Sequence, residues 1–246
     1  MLLPTLARQA PSPRDAVAHL EARPHLPSGP GEHFTGYGVL GVTFKSGDTL
    51  ALRRYAATSV GPPYTSVWHR TPEGHWTLYQ DLEPDAGCGR YFSMAADVVR
   101  AGIRVVWTGS DRFGIIVDAE RTLTWKVVLA STAMTRAANC LASTLSRSPD
   151  WPGVSGASAI VSGAMLRTGS VATSAITPNG FTLHTQIDRV WIVADSHVML
   201  GGHSLGLPVL SRSARIRLGA LDIPRHALFA TVQAHVHRRA PEHDAR

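Results

Sequence analysis

The residues Gly202-His203-Ser204-Leu205-Gly206 spell G-x-S-x-G, the pattern of a serine nucleophile held on a sharp strand-to-helix turn. Glycines flank such a serine because the backbone crowds there. A helix must follow directly, and an acid and a histidine must come downstream. Asp222 and His226 stand in that order. The context opposes the match, however. Gly206 and Pro208 fall where the first helical turn would lie, and only 42 residues follow Ser204, too few for the strand–helix units such a fold still needs. A serine hydrolase acting through Ser204 therefore stands as an alternative to a plain glycine-rich β-turn.

Histidines supply the next candidates. His235-x-His237 places two imidazoles on one face of a strand, a spacing that suits a metal ion, and His69 and His75 flank a hairpin that could add ligands. No acidic or cysteine ligand accompanies them at a diagnostic spacing, and Arg238-Arg239 would repel a cation, so no metal site is assigned. Asp118, Lys126, Asp195 and His197 are further acid–base candidates, with Asp195-Ser196-His197 read as a tight turn. His69 is the preferred catalytic residue because it lies mid-strand among aromatic residues, where burial tunes a proton donor or acceptor. The aromatic residues Trp68, Trp76, Tyr79, Trp107, Trp125 and Trp191 fall in strands and are candidates to line an apolar cavity. Taking Arg70 opposite His75, Trp68 and Tyr79 share one side of their hairpin and His69 and Trp76 the other.

These side chains need a scaffold, and the period of the hydrophobic pattern names it. From Phe34 onward, short runs of aromatic and β-branched residues alternate with turn chemistry: Thr49–Thr58, Tyr64–Arg70, His75–Gln80, Ile103–Thr108, Phe113–Val117 and Leu123–Ser131. Val39–Phe44 precedes them as one strand. After a break come Ala159–Arg167, Ser170–Ile176, Phe181–Gln186, Arg189–Ala194, His197–Leu200 and Leu228–His237, with Asn179-Gly180 as a hairpin signal. Two stretches read as helices. Ser12-Pro13-Arg14-Asp15 caps a short N-terminal one, and Ala133–Leu145 carries apolar residues at helical spacing, with Cys140 expected to pack as a small hydrophobe. Residues 146–156 read as a linker.

The expected fold is all-β and antiparallel, with one helix between two β halves and a short N-terminal helix. Its parts are an extension over 1–33, a first barrel half over 34–148, a second over 149–240, and a tail over 241–246. No strands alternate with crossover helices, which disfavours a parallel α/β sheet.

Composition excludes several classes. The 246 residues are 44% hydrophobic and only 17% charged, which excludes a disordered chain. Two cysteines cannot build a disulfide scaffold. The net charge of +6 comes from scattered arginines, not from the concentrated basic stripe that nucleic-acid binding requires. No apolar run approaches the ~20 residues of a membrane span, and Met1–Arg8 is too short for a secretory signal, so the cytoplasm is the expected compartment. No dinucleotide fingerprint, Walker loop or strong metal spacing is present, so no cofactor is implied.

The stretches Thr65–Tyr79, Thr177–Phe181 and Arg189–Val193 resemble uncharacterised bacterial β-rich proteins of lipocalin-like type, nearest to the AttH and hydroxyneurosporene synthase group. The resemblance implies two lipocalin-like, barrel-like halves and a small hydrophobic ligand, isoprenoid or polyketide-like. It implies cofactor-independent hydration, isomerisation or cyclisation if the protein is an enzyme; a non-catalytic carrier of the same ligands, keeping an apolar cavity without a titratable group pointing into it, stands as an alternative. No catalytic motif of that group maps onto this chain.

Overall fold

The computed structural model describes residues 11–145, 174–210, 216–224 and 226–238. The linker over 146–156 and the strand expected at Ala159–Arg167 lie outside them. In chain order the elements are α1 (Pro13–Ala22), β1 (Glu32–Val39), β2 (Val42–Phe44), β3 (Thr49–Thr58), β4 (Tyr64–Arg70), β5 (Trp76–Gln80), α2 (Gly89–Phe92), β6 (Asp97–Arg100), β7 (Gly102–Trp107), β8 (Arg112–Asp118), β9 (Leu123–Ala130) and α3 (Ala133–Leu145). They continue as β10 (Ser174–Ile176), β11 (Phe181–Leu200), β12 (His203–Ser204), β13 (Pro208–Val209), β14 (Arg217–Leu218), β15 (Leu221–Asp222) and β16 (Leu228–Arg238).

One large sheet runs in the order β6-β5-β4-β3-β1-β16-β11-β9-β8-β7. It is mixed, because β5 and β6 pair in parallel. The expected closed barrel is corrected here: among the described residues no ladder of hydrogen bonds joins β6 to β7. Those two end strands are nevertheless consecutive in the chain, separated by Ala101 alone, whose amide donates to Gln80 O (2.8 Å). The chain leaves one edge of the sheet and begins the other within one residue, so the sheet must be rolled. Strands from before and after α3 sit side by side in it.

Rolling turns one face inward. Tyr37, Val39, Leu52, Val67, Ile115, Trp125, Leu129, Trp191, Val198 and Phe229 form one buried cluster, with Tyr79 from near one end of the path and Trp107 from the other packed against it. A flat sheet could not bring those ends together. Helix α1 joins the cluster through Val17, and its Arg14 amide donates to Ser110 O (3.1 Å). Ser12 caps α1 by accepting from the Asp15 amide (3.2 Å), with Pro13 at the first helical position.

The opposite face carries a second cluster, which includes Phe34, Tyr64, Trp68, Trp76, Leu78, Cys88, Phe92 and Leu221. On this face β1 and β3 approach so closely that a Cβ at Gly36 or Gly38 would run into the backbone carbonyl of Arg54 or Leu52. Both glycines are therefore steric requirements. Helix α3 covers a third patch with Ala138. Its Asn139 amide completes the outer edge of β11, donating to Val190 O (3.0 Å) and accepting from Val190 N (2.8 Å). Cys140 is exposed, contrary to the expected packing role. No helix among the described residues is long and apolar enough to cross a membrane.

The three short strands expected between Phe181 and Leu200 are one strand, β11, interrupted by bulges between Ile187 and Arg189 and between Val193 and Asp195. A bulge adds one residue and shifts the side-chain alternation, which breaks the period-two pattern without ending the strand. Asp195-Ser196-His197 is thus strand, not turn.

Asp188 occupies the first bulge, and burial raises its carboxyl pKa to about 6 despite a hydrogen bond from Gln233 and the Arg189 charge. An unfolded carboxyl titrates near ~4. Between those values the folded chain holds a proton that the unfolded chain has released, so stability falls as pH rises through that window. Asp188→Asn is expected to remove a loss on the order of 2 kcal/mol. Urea unfolding at pH 4 and pH 7 checks this, and an unchanged pH slope in the variant would remove Asp188 as its source.

Candidate functional site

Alternation along each strand decides which side chains can meet. On β4, Tyr64, Ser66 and Trp68 face outward from the roll, and Thr65, Val67 and His69 face into it. Ala51, Arg53 and Tyr55 share the outward face of β3 next door, because Ala51 pairs with Trp68 and Arg53 with Ser66. Strands β1, β11 and β16 extend the same floor. Helix α2 and the β14–β15 ribbon lie across it, and Trp76 Nε1 pins the ribbon by donating to Arg217 O (2.9 Å).

Between floor and roof is a mainly apolar cleft. Its walls include Phe34, Leu183, Ile187, Val232 and Leu221, with Trp68, Tyr55, Tyr64, Cys88 and Arg53 at the β3–β4 side. The cavity volume is about 70 Å³, within a crevice of about 860 Å³ counted out to open solvent. Trp68 is held by its Nε1 donating to Ser66 Oγ (3.1 Å), by an edge contact with Trp76 (6.5 Å) and by Phe92 (4.9 Å). The Arg53 guanidinium lies over the Trp68 ring at 4.8 Å.

Burial governs the electrostatics. It pushes the phenols of Tyr55 and Tyr64 and the thiol of Cys88 above their ordinary pKa values, so all three stay neutral at pH 7. Tyr64 Oη and Cys88 Sγ are 3.6 Å apart. Burial also lowers the pKa of Arg53, but a guanidinium keeps its charge. Asp222, at the mouth, is matched by Arg217 Nε at 2.7 Å.

The expected site residues divide sharply. Trp68 lines the cleft, and Trp76 buttresses it without lining it. Tyr79, Trp107, Trp125 and Trp191 pack into or against the filled interior of the roll, on the opposite face, and are corrected to core residues. His69 also faces inward, where its Nε2 lies 2.6 Å from Asp48 Oδ1, so it does not meet the cleft. Asp118, Lys126, Asp195 and His197 are exposed.

For Trp76 and Tyr79 the cause of the misplacement is one residue of register. Arg70 pairs with Trp76, not with His75, because the Thr71 amide closes the hairpin on His75 O (2.9 Å) and Gly74 takes φ +104°. A one-residue slip exchanges the faces of every side chain on the strand. Trp68 and Trp76 therefore share a face, and Tyr79 goes to the other. Tyr55 and Tyr64, strand aromatics like the expected six, also line the cleft; Arg53 and Cys88 were not expected there, and the signal for Arg53 was its shared parity with Ala51 and Tyr55.

Ser204 sits in β12, two residues past a turn made by Gly201 (φ +55°) and Gly202 (φ +84°), and β13 follows instead of a helix. Its Oγ accepts from the Gly206 amide (3.2 Å). The motif is a hairpin turn, and no histidine partner for Ser204 appears among the described residues.

His235 and His237 do share a face, and they join His33 and His184 on adjacent strands. Ring centroids of His33 and His235 are 4.6 Å apart and nearly parallel, and His184 and His237 are 5.4 Å apart. Stacked rings aim their nitrogens side by side instead of at a shared point. Among the described residues no group of three or more His, Cys, Asp or Glu side chains is arranged to hold a metal ion.

No protein-family model matches the sequence, and no curated protein matches it. Among solved structures the chain is similar to an acetoacetate decarboxylase from Legionella pneumophila subsp. pneumophila str. Philadelphia 1, at 10% identity, over 87% of this chain and 86% of that one, with a TM-score of 0.39.

Proposed function

We propose that the protein binds a small, largely hydrophobic molecule in the cleft between its outward sheet face and α2. The observation that carries this is the apolar hollow itself, walled by Phe34, Trp68, Leu183, Ile187 and Val232. An apolar cavity of roughly 150 Å³ admits benzene. A volume of about 70 Å³ therefore suits a slender fragment, and a longer isoprenoid or polyketide-like ligand would extend along the crevice.

Carriage fits this lining better than hydration, isomerisation or cyclisation. The phenols and thiol are held neutral, and His69 is turned away. Kinship with the lipocalin-like AttH and hydroxyneurosporene synthase group, and a place in the cytoplasm, belong to the same proposal and rest on the sequence alone.

Isothermal titration with hexan-1-ol tests the reading. Saturable binding is expected, and Leu183→Trp, which fills the cleft, is expected to weaken it at least tenfold while the melting temperature holds. Binding that ignores Leu183→Trp, or no binding, would remove the cleft as the site.

A further inference from the structure

We propose that the cleft takes an amphipathic carboxylate, with the carboxylate on the Arg53 side chain and the apolar body along Leu183, Ile187 and Val232. This rests on the reading of the cleft as a ligand site and names the chemistry of its ligand. The argument starts from a cation facing an apolar cleft. Arg53 lines the cleft, and no carboxylate among the described residues lies within ion-pair distance of it. Its neighbour Arg54, by contrast, lies beside Glu21 at 3.6 Å on the inward side. Charged side chains are retained in low-polarity surroundings when something pairs with them. The groups that surround Arg53, namely Tyr55, Tyr64 and Cys88, are all kept neutral by burial, so none supplies the countercharge.

The donors of Arg53 are divided in a way that selects the ligand. Nη1 donates to Val39 O (2.8 Å) and Leu52 O (2.9 Å), which uses both of its hydrogens and fixes the plane of the guanidinium. Contact with the Trp68 ring at 4.8 Å holds the same plane. The edge formed by Nε and Nη2 has no protein acceptor among the described residues. Two parallel N–H groups on one edge match the two oxygens of a carboxylate. The plane is set in advance by Val39, Leu52 and Trp68, so little side-chain entropy is lost when the anion arrives.

Size and lining give the rest of the molecule. Apart from Arg53, the only charged wall residue among the described residues is Asp222, which is occupied by Arg217, and the rest of the lining is mainly aliphatic and aromatic, with Thr177, Thr185 and Cys88 as its small polar members. A cleft volume of about 70 Å³ accepts an unbranched aliphatic chain more readily than a ring system. A short- or medium-chain fatty acid has this form.

Calorimetric titration of the full chain with hexanoate, hexanamide and hexyl phosphate tests the proposal. Hexanoate is expected to bind at least tenfold more tightly than hexanamide, which has the same shape without the charge. Arg53→Met is expected to cost hexanoate tenfold or more and to change hexanamide less than about threefold. Arg53→Lys, which keeps the charge and loses the fork, should fall between. The comparison of ligands on the unaltered chain stands even if Arg53→Met fails to fold, since that variant also strips two backbone carbonyls of their donor. Equal binding of hexanoate and hexanamide would overturn the carboxylate assignment and leave the hydrophobic cleft standing. Tighter binding of hexyl phosphate than hexanoate would overturn the choice of head group. Failure of all three ligands together with hexan-1-ol would overturn the cleft reading itself.

Discussion

Trp125→Ala is expected to cost about 3–5 kcal/mol of stability, the range for removing a large aromatic side chain from a core. Trp125 is fully buried in the rolled interior, and its Nε1 donates to Ser196 Oγ across the β9–β11 ladder at 2.7 Å. Its loss leaves a void lined by Phe113, Ile115 and Val198 and strands a buried hydroxyl. A domain is stabilised by only about 5–15 kcal/mol in total, so the variant should unfold at a much lower urea concentration. Trp125→Phe keeps most of the apolar volume and loses the hydrogen bond, and about 1–3 kcal/mol is expected for it. Hexan-1-ol binding to that milder variant should be unchanged, because the indole is on the far face of the sheet from the cleft. A Trp125→Ala chain within 1 kcal/mol of the parent would contradict a filled interior.

His69→Phe is the second large effect. The His69 imidazole and the Asp48 carboxylate are 7% and 10% exposed and 2.6 Å apart. Asp48 closes the β2–β3 turn, with its carbonyl accepting from the Phe44 amide (2.9 Å), and His69 stands opposite Leu50 on β4. The pair therefore ties the turn to the neighbouring strand. Removing the imidazole leaves a carboxylate without its partner in a dry place, which costs about 3–5 kcal/mol. Asp48→Asn keeps a hydrogen-bonding group there and should cost less. The prediction separates structure from catalysis. His69→Phe should lower the unfolding midpoint and leave the hexan-1-ol affinity of the folded fraction unchanged. Loss of affinity with intact stability would return His69 to the binding site.

Local chemistry accounts for what was legible in advance. Tyr64–Arg70 and Thr49–Thr58 are strands with the expected bounds, and Ala133–Leu145 is the expected helix. Ser12-Pro13 caps α1 as its side-chain chemistry requires. These features depend on residues within a few positions of one another. The stretch 202–206 likewise read as a glycine-rich turn, and the hydrolase pattern laid over it lacked the helix it needed.

What was not legible depended on distant partners. The β11 bulges at Asp188 and Ala194 looked like strand ends because a bulge and a turn interrupt alternation in the same way. The β4–β5 register hinged on one hydrogen bond, from the Thr71 amide to His75 O, and it decided which of Trp76 and Tyr79 met Trp68. Arg53 looked like one more surface arginine, since nothing in its neighbourhood along the chain distinguishes it from Arg54.

The amino-acid order by itself determined that this chain makes hairpins with an apolar stripe on each side, because side-chain alternation and turn residues act over short range. Only the tertiary structure decided which stripe rolled into a packed interior and which kept a hollow beside a cation. That choice follows from how far the sheet coils before β6 and β7 adjoin at Ala101, and coiling is a property of ten strands together, carried by none of them alone.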